Sequence, residues 1–375
     1  MITTAVTRWR TPPVAAIGAL VLVGVAASVA ARPSSAPSLP PISSERLIAS
    51  TLGALAQDGP VAGRLTAHLD LGLPAIPNEG PGAAVSGAAG FLASLTGNHR
   101  LRLWSSADGF RSADLLQASE RAIFVSRTDA WAWDFDSFTA YHLGRPQSGR
   151  GLEHEGDRPG LDLIDPLALA RKALEAITPS TQVVVTGTTR VAGRDAYVLG
   201  LEPRTSETLV GRIEVAVDAE RRIPLHVAVI PRGRTAAAIS VGFTSISFAS
   251  IDPSVYRFTP PPGATVRDLS RELGGKRKGA EQGSEYSVRD EHVSNGAFGQ
   301  APARLFGHDW TTVVALRTPS MATLRGSETG FDPTSLLPLS GPLLSVRLVD
   351  HRDHGWLVYG LVPQSALVAA ARELP

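Results

Sequence analysis

The chain has 375 residues, a formal net charge of +1 and no cysteine. The near-zero charge argues against nucleic acid as a partner. The absence of cysteine excludes disulfides, a thiol nucleophile, a thiolate metal site and an acylated lipoprotein cysteine. The length allows two domains or one large one, which core burial alone can stabilise.

Residues 1–31 have the parts of an export signal. Arg8 and Arg10 precede an uncharged apolar stretch at 14–31, which ends in small residues. The stretch is at the short end of what spans a bilayer, so a cleaved signal peptide and a retained N-terminal membrane anchor both remain open. Because the positive residues stay inside, we expect the body to be extracytoplasmic, in the cell envelope or secreted, after a Pro/Ser-rich linker at 32–42.

A short helix and a series of hairpins are predicted next. Ser43 or Ser44 can cap the helix, and Gly59-Pro60 ends it. Residues 61–73 then alternate polar and apolar side chains, as expected of a half-buried strand. Further strands are predicted at 100–104, 110–116, 121–126, 130–135 and 138–143.

A second helix and the clearest strand patterns follow. Asp165-Pro166 favours a helix start, because the carboxylate can cap and the proline suits the first turn. Between Phe243 and Ile246 a one-residue slip in the alternation predicts a β-bulge, which curves a sheet. Strands with one apolar and one polar face are predicted at 183–190, 195–201, 212–217, 223–229 and 238–248. The expected fold class is α+β, with a curved antiparallel sheet, an unclosed barrel, that covers one or two helices.

The C-terminal part separates into a polar segment and a small structured extension. Glu, Lys, Arg, Gly and Ser dominate residues 267–304, which predicts a flexible charged linker between a first domain at 43–266 and an extension at 305–375. The extension is predicted as a small β-β-β-α unit, with strands at 310–316, 343–349 and 356–362 and a helix at 363–374.

The order of these parts and several short motifs resemble the LolA-like superfamily over roughly residues 43–266. The motifs are an aromatic strand at 128–134, a hairpin turn at 191–197, a strand pair at 211–230 and a closing segment at 251–263. The superfamily includes lipoprotein carriers of the LolA, LppX and LprG types and the N-terminal domain of MucB/RseB-type sigma-factor regulators. Two features depart from it: the lipoprotein members carry a cysteine after the signal, and the extension is not part of the basic fold.

The resemblance implies an exported, non-enzymatic carrier or chaperone that binds a lipid or an acylated lipoprotein in a hydrophobic cavity. The alternative is a MucB/RseB-like sensor that contacts the extracytoplasmic domain of an anti-sigma factor, and a weaker one is an exported hydrolase. The side chains expected to line the cavity are Leu65, Leu69, Leu101, Leu103, Trp131, Trp133, Phe135, Leu174, Ile213 and Val215. For the three aromatic residues, ordinary core packing is the competing interpretation.

No motif for catalysis or for a cofactor is found, and neither is expected. A nucleophile elbow, a P-loop, a dinucleotide fingerprint and a zinc-protease motif are all missing. Three polar groups could bind a metal or do acid–base work, although ordinary turns and loops are the preferred explanation for each. They are His351 and His354 with Asp350 and Asp353, then His154-Glu155 with Asp157, and Asp134 with Asp136.

Overall fold

The computed structural model describes residues 36–72, 96–115, 120–144, 165–175, 177–268, 303–318, 337–350 and 354–374. The predicted export segment lies outside these ranges, as does most of the predicted charged linker. Within the described ranges, no helix has both the length and the apolar character needed to cross a membrane.

Twelve strands of the described residues form one unclosed sheet. They are β1 (Val61–Leu69), β2 (Gly97–Ser106), β3 (Gly109–Leu115), β4 (Glu120–Val125), β5 (Asp129–Asp134), β6 (Thr139–Gly144), β7 (Thr181–Val191), β8 (Arg194–Pro203), β9 (Val210–Asp218), β10 (Pro224–Pro231), β11 (Ile239–Ser247) and β12 (Thr265–Asp268). Their order is β12-β6-β5-β4-β3-β2-β1-β11-β10-β9-β8-β7, so the two ends of the sheet are not paired with each other. Neighbours are antiparallel except for β12 and β6, which are parallel. The predicted unclosed antiparallel sheet is confirmed.

Two helices begin where the sequence predicts. Helix α1 (Ser44–Leu55) is capped by Ser43, whose hydroxyl accepts a hydrogen bond of 3.3 Å from the Arg46 amide. Helix α2 (Pro166–Glu175) follows Asp165, whose Oδ1 accepts a hydrogen bond of 2.9 Å from the Leu167 amide. Such caps satisfy amides that have no partner inside the helix.

The main core lies between these helices and one face of the first sheet, which we call the inner face. Leu47 of α1 and Leu174 of α2 are buried there against apolar side chains of β1, β2 and β7–β11. Helix α2 contacts β10 and β11, and α1 contacts α2 and β7. Full burial of a leucine contributes about 1.5–3 kcal/mol. This cluster is therefore what holds the helices on the sheet.

The predicted bulge lies where β1 pairs with β11. Arg64 pairs with Ser245 and Leu65 pairs with Phe243, so Thr244 is the extra residue. The Thr244 hydroxyl donates a hydrogen bond of 3.2 Å to the Arg64 carbonyl. Beside it, a Cβ on Gly63 would lie 2.3 Å from the Ser245 carbonyl oxygen, so this close approach requires glycine.

A second, smaller sheet follows in the C-terminal part. Its strands, in the order β13-β14-β17-β16-β15, are β13 (Ala303–Phe306), β14 (Val313–Thr318), β15 (Leu339–Ser340), β16 (Ser345–Asp350) and β17 (Gly355–Gly360). Helix α3 (Gln364–Arg372) covers it through Leu367 and Ala370. Asp309–Thr311 forms a short 3-10 helix, so β14 begins later than the strand predicted from residue 310. The predicted charged linker at 267–304 overlaps two strands: its first two residues belong to β12 and its last two to β13.

Hydrogen bonds join the C-terminal part to segments in or next to the first sheet. The Leu361 carbonyl accepts hydrogen bonds of 2.8 Å from the Leu209 amide and of 2.8 Å from the Thr208 hydroxyl. The Trp310 indole donates a hydrogen bond of 2.8 Å to the Thr181 hydroxyl. We call this contact region the junction.

Candidate ligand-binding site

Strand register shows which side chains share a face of the first sheet. Directly opposed residues of an antiparallel pair point to the same side. One row on the inner face therefore runs across five strands, through Leu103, Ser112, Ile123, Ala132 and Tyr141. The opposite side, which we call the outer face, carries a second row: Trp104, Arg111, Phe124, Trp131 and His142.

The ten residues predicted to line a cavity lie in three different places. Buried in the main core, on the inner face or on α2, are Leu65, Leu69, Leu101, Leu103, Leu174, Ile213 and Val215. Trp131 and Trp133 lie on the outer face in a separate cluster. Phe135 follows the end of β5 in a turn, where it is 51% exposed. The structure does not bring the ten together on one surface, and a ligand contact by any of them stays a prediction.

The outer face is covered by the closing segment that follows β11. Phe258 stacks on Phe124 with ring centroids 4.7 Å apart, and lies 5.7 Å from both Trp131 and Trp133. Tyr256 is buried, and its hydroxyl is 2.8 Å from that of Ser106. We call residues 249–264 the strap.

Arg111 extends the same outer-face cluster with a charge. Its guanidinium lies 4.8 Å from the Trp104 ring and 4.7 Å from the Phe124 ring. Burial lowers the pKa of Arg111, with a smaller opposing effect of Glu120. These contacts are typical of packing, since cations favour the faces of aromatic rings.

The inner face of β3–β6 differs from the rest of that face. Ile123, Ala132 and Tyr141 are only half-buried here, next to the buried Leu103 and Ser112. We call this surface the open trough. None of these half-buried residues was predicted as a site residue, because their alignment depends on the pairing of β4, β5 and β6.

One end of the open trough is lined by charged and polar side chains. His99 Nδ1 is 2.7 Å from Asp114 Oδ2, and Arg121 Nε donates a hydrogen bond of 3.1 Å to Asp134 Oδ2. Asp114 and Arg121 are direct cross-strand partners. Within the described residues, Asp114 Oδ1 is buried without a hydrogen-bond partner. The trough therefore has an apolar floor and a polar end, which suits an amphipathic ligand.

A cavity of about 460 Å³ lies at the junction. Its lining residues are Thr178, Asp309, Trp310, Thr312, Val314, Leu344, Tyr359, Gly360 and Leu361. Burial raises the pKa of Tyr359. Sequence patterns did not reveal this cavity, because its walls come from segments more than a hundred residues apart.

The polar groups considered for metal or acid–base chemistry do not assemble into a site in the described residues. Asp134 pairs with Arg121 and accepts a hydrogen bond of 3.1 Å from the Ser137 amide, as a turn residue does. Residues 351–353 and 154–157 lie outside the described ranges. No group of three or more metal-ligating side chains occurs within those ranges.

No protein-family model and no curated protein sequence matches this chain. Among solved structures, the MucA/MucB complex of Pseudomonas aeruginosa is 14% identical with a TM-score of 0.40, over 86% of this chain and 96% of that chain. Mycobacterium tuberculosis lipoprotein LppX is 10% identical with a TM-score of 0.31, over 56% of this chain and 98% of that one. A LolA superfamily protein of Nitrosomonas europaea is 8% identical with a TM-score of 0.24, over 58% and 99%. These solved structures include LolA-like proteins and MucB, the two groups that the sequence motifs resemble.

Proposed function

We propose that this chain is an extracytoplasmic, non-enzymatic binding protein that holds a lipid or the acyl chain of a lipidated protein on the open trough. The observation that carries the proposal is the half-buried apolar row of β4–β6 on the inner face, beside a core that fills the rest of that face. The predicted export segment supports the location, because it directs the body across a membrane.

The floor of the trough suits a hydrocarbon chain. Each methylene removed from water contributes about 0.8 kcal/mol, so a chain of twelve to sixteen carbons would gain on the order of 10 kcal/mol if it were fully buried. Ile123, Ala132 and Tyr141 offer apolar surface without a convergent set of polar groups. A trough that leaves one side of the chain wet yields part of that gain, which suits a carrier that must also release its ligand.

The polar end suits the head group of the same ligand. Arg121, which already pairs with Asp134, can donate a further hydrogen bond to an ester or hydroxyl oxygen, and the unpaired Asp114 Oδ1 can accept one from a hydroxyl or an amine. Both side chains lie in the row next to the apolar floor. A ligand with its tail on Ile123 would therefore place its head at this end.

The test compares an inner-face variant with a matched exposed one. Ile123→Asp places a carboxylate on the floor, and we expect it to weaken binding of a fluorescent fatty acid about tenfold or more. Val266→Asp is the control, because Val266 is 53% exposed on β12 and pairs with Ala140 of the outer face rather than with Tyr141 of the trough. Native mass spectrometry should show co-purified lipid in the unaltered protein and less in Ile123→Asp. Undiminished uptake by a folded Ile123→Asp protein would refute the proposal.

The sensor alternative is favoured by the free edge of the first sheet. Strand β7 is eleven residues long, and in the part of the chain that the structure describes it pairs only with β8. A partner segment can add to such an edge by backbone hydrogen bonds. Titration with the extracytoplasmic domain of an anti-sigma factor should then slow hydrogen exchange of the β7 amides. Binding without any change at β7 would argue against this edge.

A further inference from the structure

We propose that the junction cavity is a second binding site, separate from the open trough, for a single hydrocarbon chain with an uncharged polar end. The cavity is bounded by Thr178, which precedes β7, and by residues of the second sheet and its 3-10 helix. None of its lining residues belongs to β2–β6. Occupation of one site can therefore be tested without the other.

The walls of the cavity select an apolar ligand. Trp310, Val314, Leu344, Tyr359 and Leu361 supply aromatic and aliphatic surface. A volume of about 460 Å³ falls within the range of small-molecule sites, which are mostly apolar and have few polar groups. Such walls offer water few hydrogen-bond partners, so a hydrocarbon chain is the better occupant of the space against them.

The same walls are held in place before any ligand arrives. The indole of Trp310 is anchored by its hydrogen bond of 2.8 Å to Thr181. The Leu361 carbonyl accepts two hydrogen bonds from the residues just before β9. A Cβ on Gly360 would lie 2.8 Å from the Thr312 carbonyl oxygen, so this close backbone packing depends on glycine. A preformed wall saves the ordering cost that weakens binding to a mobile one.

The polar groups of the lining set the class of end group. Asp309 lines the cavity with a side chain that is 34% exposed and whose Oδ2 lies 3.7 Å from His308 Nδ1, and Thr178 and Thr312 line it too. The two threonine hydroxyls are already engaged, with Ser180 Oγ at 2.6 Å and with the Asp309 carbonyl at 2.9 Å respectively. An anionic end group would be repelled by Asp309, whereas an alcohol can donate a hydrogen bond to it. We therefore infer a fatty alcohol or acylglycerol type of ligand rather than a free fatty acid.

Occupation of the cavity should also strengthen the contact between the two sheets. The ligand would touch Thr178 on one side and β14 and β17 on the other. A ligand stabilises the conformation to which it binds. A ligand that needs both walls would therefore stabilise the conformation in which the two sheets are in contact. The junction cavity thus links ligand binding to the position of the C-terminal sheet.

The experiment uses two probes that differ only in the end group: a bromine-tagged undecanol and the matching undecanoic acid. Bromine quenches nearby indole fluorescence, so the alcohol should quench the full-length protein saturably, and Trp310→Phe should abolish this component. At about pH 8, where the acid is ionised, we expect it to bind at least about tenfold more weakly than the alcohol. Asp309→Asn should narrow that difference in affinity, because it removes the negative charge. Asparagine also tolerates the positive φ of 49° at this position, so the backbone should not change.

Matched variants separate the cavity from other surfaces. Leu344→Trp fills the cavity and should prevent quenching, whereas Leu305→Trp enlarges a side chain that is 43% exposed on β13 and should not. Ile123→Asp alters only the open trough and should leave the quenching unchanged, so failure of this site and failure of the trough are distinguishable. The site is refuted if Trp310→Phe is quenched like the unaltered protein, or if Ile123→Asp removes the quenching. Equal affinity for both probes would overturn the assignment of the end group.

Discussion

Replacing Trp133 by alanine tests which face of the first sheet carries the ligand. Trp133 is 8% exposed on the outer face, where its ring lies 5.7 Å from Phe258 and 5.3 Å from Phe138. Removing a buried tryptophan side chain costs about 3–5 kcal/mol, because apolar contacts are lost and a cavity remains. We expect Trp133→Ala to lower the free energy of unfolding by that amount. The folded fraction should bind lipid as before.

The assay is urea unfolding followed by circular dichroism, combined with lipid titration far below the unfolding midpoint. Trp133→Phe is the matched control, because it keeps an aromatic ring against Phe258 and should recover more than half of the lost stability. The reasoning would be refuted by a Trp133→Ala protein of normal stability that no longer binds lipid. That result would place the ligand on the outer face and turn the strap into its lid.

Three further substitutions test the fold. Gly63→Ala should destabilise the protein by about 1–3 kcal/mol in urea unfolding, because its Cβ would lie 2.3 Å from the Ser245 carbonyl oxygen. In helix α1, Gly53→Ala has open space around the new Cβ and should stabilise by up to about 1 kcal/mol; a loss of stability there would contradict the described helix. Burial would raise the pKa of Asp218, but hydrogen bonds from Arg194 and two backbone amides lower it overall. The ionised Asp218 therefore stabilises the folded state fully above the pKa that it has in the unfolded chain. This stabilisation is lost as the pH falls through the lower pKa that Asp218 has in the folded protein. Asp218→Asn should cost about 3 kcal/mol at neutral pH and flatten the acid limb of a stability–pH curve, and an unchanged acid limb would contradict this.

Local patterns were sufficient to predict β1–β11 of the first sheet, but not the short strand β12. Ser43 and Asp165 marked helix starts because their side chains can cap exposed amides. The slip between Phe243 and Ile246 located the bulge because the side-chain period of a strand is two. Phe135 was assigned to the aromatic strand, but β5 ends at Asp134 and Phe135 begins the turn. Alternation continues for one residue into a turn without any change in composition, so strand ends are less certain than strand centres.

The candidate site was much less accessible from the sequence. Alternation shows that Trp131 and Trp133 share a face, but it does not show which element covers that face. The partner, Phe258, lies more than a hundred residues later in the chain. The junction cavity depends in the same way on Trp310 meeting Thr181, a tertiary contact without a local signal.

The strap has a practical consequence for where this fold ends. The last antiparallel strand of the first sheet ends at Ser247. A protein truncated at this residue would keep every antiparallel strand of that sheet. The truncated protein would lack the strap, so the aromatic rings of β4 and β5 would be exposed to water as an apolar patch that favours aggregation. Any shortened version of the protein should therefore extend through Asp268, so that β12 closes beside β6.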